Sequence, residues 1–71
     1  MTRDEAFTHA KEHARQLIDA GALSDAVANY VAILQRARID PPLHHADINH
    51  GLLLSVEGDV AKVRAWVEKF A

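Results

Sequence analysis

Residues 37 apart along this chain match in kind. Ala14 pairs with Gly51, Leu17 with Leu54, Gly21 with Gly58 and Leu23 with Val60, and further on Ala26 pairs with Val63, Tyr30 with Val67 and Ile33 with Phe70. Small residues answer small ones and large apolar residues answer large apolar ones. A helical hairpin used twice leaves this register in a sequence. The expected architecture is therefore all-α, with four helices in two antiparallel hairpins, about 3–38 and about 41–71, inside a single domain of residues 1–71.

The helix boundaries follow from local chemistry. Thr2 and Glu5 form a capping box that starts a helix over about Arg3–Ala20. Its apolar stripe is Phe7, Ala10, Ala14, Leu17 and Ile18. Gly21 ends it, where a left-handed backbone is wanted. Ser24 is the expected N-cap of a second helix over about Asp25–Arg38, and Asp25 suits its dipole. Ala26, Val27, Tyr30, Val31, Ile33, Leu34 and Ala37 give that helix the widest apolar face. Ile39-Asp40-Pro41-Pro42 breaks the chain, because a residue before proline avoids helical angles. Asp40 as cap and Pro41 as first residue predict a third helix over roughly Pro41–Val56. Gly58 stops it. Asp59 then caps a fourth helix that runs to the C-terminus with a core stripe of Val60, Val63, Val67 and Phe70.

Seventy-one residues allow one thin core. The chain has no cysteine, so neither a disulfide nor a thiolate zinc site can staple it, and a reducing compartment is expected. A net charge of −2 offers no basic face for nucleic acid. No apolar run approaches the ~20 residues of a membrane span. Met1-Thr2-Arg3-Asp4-Glu5 is polar and acidic, unlike a signal peptide. The expected location is the cytoplasm.

Gly21-Ala22-Leu23-Ser24-Asp25-Ala26-Val27-Ala28-Asn29-Tyr30 resembles the middle of a tetratricopeptide repeat. Ala14, Gly21, Ala26 and Tyr30 match that family's small residue, helix-ending glycine, contact alanine and aromatic, and Pro41 matches its closing proline. The second copy matches through Gly51, Leu54, Gly58, Val63 and Val67, and lacks the alanine and the aromatic. The resemblance implies tetratricopeptide-like hairpins or a small helical bundle. It also implies a groove lined by Thr8, Lys11, Arg15 and Asp19 from the first helix and by His45, Ile48 and Leu52 from the third. A second resemblance covers nearly the whole chain. Met1-Thr2-Arg3-Asp4-Glu5-Ala6, Asp25-Ala26-Val27, His50-Gly51-Leu52-Leu53-Leu54 and Val63-Arg64-Ala65-Trp66-Val67-Glu68-Lys69-Phe70 are similar to small proteins of actinobacterial phages. Trp66 stands where those proteins have another aromatic, and Lys69 where they have glycine. That resemblance implies work inside an infected bacterium.

Five histidines suggest metal chemistry. His9-Ala10-Lys11-Glu12-His13 has the H-x-x-E-H spacing of a zinc-protease motif. Such a site would need a third ligand from His44, His45 or His50 and an open coordination position. Two histidines on the solvated side of a helix explain the same spacing, and we take that reading over a hydrolase through His9, Glu12 and His13. No serine–histidine–acid arrangement and no phosphate-binding glycine loop is present. We expect no catalytic residue, no metal and no cofactor.

The expected activity is binding. Trp66 lies one position off the fourth helix's stripe, either as a partly buried packing residue or as an interface anchor. Ile48 and Leu52 lie four apart on a helix carrying more apolar residues than one small domain readily covers. We expect a non-catalytic interaction module that takes a host or phage protein in an apolar groove. Ile48, Leu52, His45 and Trp66 would make contact, and Lys11 and Arg15 would select an acidic partner. A homodimer through the same apolar face is the alternative.

Overall fold

The computed structural model of the chain describes residues 1–70. Its four helices are α1 (Arg3–Asp19), α2 (Leu23–Arg36), α3 (His45–Glu57) and α4 (Val60–Lys69). No strand occurs among the described residues. The expected end of the last helix at Ala71 lies outside them.

Four of the expected helix ends form, one of them Gly58, left-handed with a φ of 75° at the close of α3. The Thr2 hydroxyl accepts from Glu5 N–H at 3.1 Å and the Glu5 carboxylate accepts from Thr2 N–H at 3.2 Å. The Thr2 backbone N–H on the carboxylate, with the Thr2 hydroxyl second, holds the Glu5 carboxyl below its ordinary range. Asp59 caps α4 by accepting from Lys62 N–H at 3.0 Å. Gly21 takes a left-handed φ of 78° and closes α1, with Gly21 N–H on Ile18 O and Ala22 N–H on Leu17 O. That is the paired bond pattern of a Schellman motif. The chain re-enters a helix at once, since Ala26 N–H already bonds Ala22 O. As a result α2 starts two residues before the expected Asp25, and Ser24 sits inside it rather than at its cap.

The third helix begins later than Pro41. Pro41 itself precedes Pro42 and is barred from helical angles for the same reason as Asp40. The Asp40–Pro41 peptide is cis. Segment 37–44 crosses between helices without regular structure, with Ile39 buried and Leu43 half-buried. The Arg3 guanidinium donates to Pro41 O at 2.6 Å and ties this segment to the start of α1. His44 becomes the N-cap of α3, with no side-chain bond to the first turn.

α1 packs along α2, which carries the widest buried face: Ala26, Val27, Tyr30, Val31 and Leu34. Ala6, Ala10 and Ala14 are fully buried on the facing side of α1, where their small side chains let the two backbones come close. α2 packs on α3, α3 on α4, and α4 returns to α1 while also reaching α2. Among the described residues no Cα of α1 lies within 8 Å of one of α3. The result is a small helical bundle closed by α4.

An aromatic cluster fills its centre. Trp66 meets Tyr30 edge-on, with ring centroids 5.3 Å apart, and meets Phe70 at 5.2 Å. Phe7 joins through Tyr30 at 6.4 Å. The Trp66 indole lies directly against the backbone of Gly51 and donates its N–H to Asp47 O at 3.0 Å. Trp66 is 2 % exposed. It belongs to the core, not to its flank, and it displaces Val60 from the expected stripe: Val60 is 44 % exposed at the corner after Gly58.

A Cβ at residue 51 would stand 2.5 Å from the Trp66 ring. Gly51→Ala should thus destabilise the fold by about 1–3 kcal/mol despite alanine's better helix propensity, as urea unfolding will read. Tyr30 is the converse case. Its hydroxyl is buried with no hydrogen-bond partner among the described residues, and burial pushes its ionisation above the ordinary value of 10. Tyr30→Phe should leave stability unchanged or raise it by up to about 1 kcal/mol in the same assay, since it removes an unpartnered polar group and keeps the ring.

Candidate functional site

The six residues expected to form one binding surface fall into four places. His45 and Ile48 lie together at the junction of α2 and α3, beside a groove of about 290 Å³. Its walls include Val31 and Leu34 from α2 and Ile39 and Leu43 from the connecting segment. Ile48 is half-buried and packs on the core, whereas His45 is exposed. Leu52 is one turn away on the outer side of α3. Trp66 is buried and offers no exposed ring to a partner.

Lys11 and Arg15 sit on α1, away from α3. The Arg15 guanidinium grips the Glu68 carboxylate of α4 with two bonds, Nε to Oε1 at 2.6 Å and Nη2 to Oε2 at 2.8 Å. The pair holds the Glu68 carboxyl below its ordinary value of 4.5, chiefly through the hydrogen bonds, with Lys11 and Arg64 adding favourable charge. It raises Arg15 in return. Arg64 also reaches Asp19 at 3.0 Å. Of the two charges expected to select an acidic partner, Arg15 is engaged in joining α1 to α4, and Lys11 is in no ion pair among the described residues. The groove carried over from the tetratricopeptide repeat needs α1 beside α3, and in this bundle no Cα of one lies within 8 Å of the other.

The histidines of the zinc-like spacing are both exposed on α1, with ring centroids 6.4 Å apart. Their expected third ligands, His44, His45 and His50, belong to α3 and its cap, and no Cα of α1 lies within 8 Å of that helix. Among the described residues no three His, Asp or Glu side chains converge as metal ligands would.

A further surface lies on α3. Leu52, Leu53 and Val56 are 42 %, 57 % and 79 % exposed, and Val60 at the start of α4 is exposed as well. At 100° per residue, positions 52, 53 and 56 share the side of α3 opposite the buried Gly51, Leu54 and Ser55. Together they form an apolar ridge. The signal for it was the lack of a polar face on α3, since Ile48, Leu52, Leu53, Leu54 and Val56 surround the helix.

Comparison with protein-family models, curated proteins and solved structures gives no match to this chain. No helix among the described residues is long and apolar enough to cross a membrane.

The Arg15–Glu68 pair makes a pH prediction. A carboxyl whose folded value is depressed adds stability above its unfolded value, and that stability is lost as pH falls through the folded value. Wild-type stability should therefore decline below pH 4.5 in part through Glu68. Glu68→Gln should start lower at neutral pH and lose less on acidification, as urea titrations across that range will show. Both groups are partly exposed, so raising the salt should narrow the difference.

Proposed function

We propose that the chain is a non-catalytic protein-interaction module, phage-encoded and acting in the host cytoplasm, whose working surface is the α3 ridge. One observation carries this reading: three large apolar side chains on one face of α3 stay exposed while the opposite face is already buried. Isolated apolar residues on a surface need no explanation, but a contiguous set of this kind marks a contact surface. The ridge stands on the outer face of α3. It suits a partner that presents an apolar groove or an amphipathic helix to lie along α3. The phage resemblance names the setting in which such a partner, a host or phage protein, would be met.

The ridge can be removed without touching the core. Leu53→Glu with Val56→Glu should change folding stability by no more than about 0.5 kcal/mol per site, because both side chains already face solvent. The same double variant should weaken partner binding at least tenfold, the cost of roughly 1.4 kcal/mol of lost contact. Affinity capture from host lysate, wild type beside variant, with circular dichroism to confirm helicity, reads both effects. Equal capture of the same protein by both chains would remove the ridge from consideration. A wild-type mass of two chains by light scattering that falls to one in the variant would make the partner a second copy.

A further inference from the structure

The groove at the α2–α3 junction is separate from the ridge, and two independent observations converge on it. The first is Arg38. Helix α2 ends in the same bond pattern as α1: Arg38 N–H bonds Gln35 O, and Ile39 N–H bonds Leu34 O at 3.5 Å. In α1 the left-handed position of that pattern belongs to Gly21, whereas in α2 it belongs to Arg38 with a φ of 52°. A side chain at this position strains the backbone, and glycine is the usual occupant. Strain of this kind clusters at sites that use the residue.

The second observation is the composition of the groove wall. Its apolar lining is Val31, Leu34, Ile39, Pro42, Leu43 and Ile48, and its polar lining is Gln35, Arg38 and His45. No Asp or Glu lines it, in a chain whose acids outnumber its lysines and arginines by ten to eight. The ion pairs among the described residues use Arg15, Arg64 and Lys69, and Arg38 is in none of them. A volume of about 290 Å³ lies at the small end of ligand sites. An uncommitted guanidinium beside an aliphatic lining complements one kind of small molecule, an aliphatic chain ending in an anion, and the planar fork of arginine matches a carboxylate with two bonds.

We propose that this groove binds a small aliphatic carboxylate, with its tail on Val31, Leu34, Ile39 and Ile48 and its carboxylate on Arg38. Octanoate is the probe, and octanol is the uncharged control. Titrated into the ¹⁵N-labelled chain, octanoate should shift the amide signals of Val31, Leu34, Ile39 and Ile48 in a saturable way, and octanol should bind at least tenfold more weakly. Arg38→Gly supplies a variant that folds, because it places glycine where the backbone asks for it. Its melting temperature should equal or exceed the wild type's, while its octanoate affinity should fall at least tenfold. The proposal is overturned if octanoate gives no saturable shifts at the groove, if octanol binds equally well, or if Arg38→Gly keeps wild-type affinity.

Discussion

The indole of Trp66 against the backbone of Gly51 sets the orientation of half the molecule. Only a residue without a Cβ admits the ring at that distance. The bond from the indole to Asp47 O fixes its angle. From there the ring reaches Tyr30 and Phe70, so one side chain joins α4 to α3 and to α2. The contact also decides which side of α3 faces inward. Once Gly51 lies beneath Trp66, Leu54 and Ser55 turn inward with it. Leu52, Leu53 and Val56 are left on the far side. The ridge is in this sense a geometric consequence of the packing of one glycine.

Charge completes what the aromatic cluster begins. α4 is the shortest helix, and its buried face is Val63, Trp66 and Val67. Arg15–Glu68 and Arg64–Asp19 run between α1 and α4, and Lys69–Asp47 runs between α4 and α3. These pairs are partly exposed, so each contributes little by itself. Their joint effect is on arrangement: they favour α4 beside α1, in the place where an open stack of hairpins would leave a groove.

Local features of the fold were legible in the chain wherever a single residue decides the outcome. Thr2 with Glu5, Gly21, Gly58 and Asp59 act where their chemistry says they should. The 37-residue register also survives as burial: Ala14 with Gly51, Ala26 with Val63 and Tyr30 with Val67 are buried at both positions. What escaped depends on partners remote in sequence. Trp66 lies off its helix's apolar stripe, and no periodicity announces that a glycine 15 residues earlier makes room for it. Val60 lies on that stripe and is left outside. Ser24 has the ideal side chain for a cap, but the bonding pattern after Gly21 restarts the helix before reaching it. Of the candidate site, His45, Ile48 and Leu52 were placed correctly on one helix, but their division between a groove and a ridge depends on where α2 ends. Arg15 looked free because its partner is 53 residues away.

A thin core gives a 71-residue chain little stability to spare, so its departures from local preference carry information. They are unevenly distributed. α1 has a full capping box, a glycine at its left-handed end and a continuous buried stripe. Around α3 the preferences are broken repeatedly. Arg38 holds a position suited to glycine just before the connecting segment, the first turn of α3 has no side-chain cap, and the outer face of α3 exposes leucines and a valine. None of these is required to close the bundle. A glycine at 38 and polar residues at 52, 53 and 56 would leave every core contact in place. Features that cost stability and serve no packing role are what the proposed binding surface on α3 would require, whereas the uncapped start of α2 and the unpartnered Tyr30 hydroxyl lie away from it.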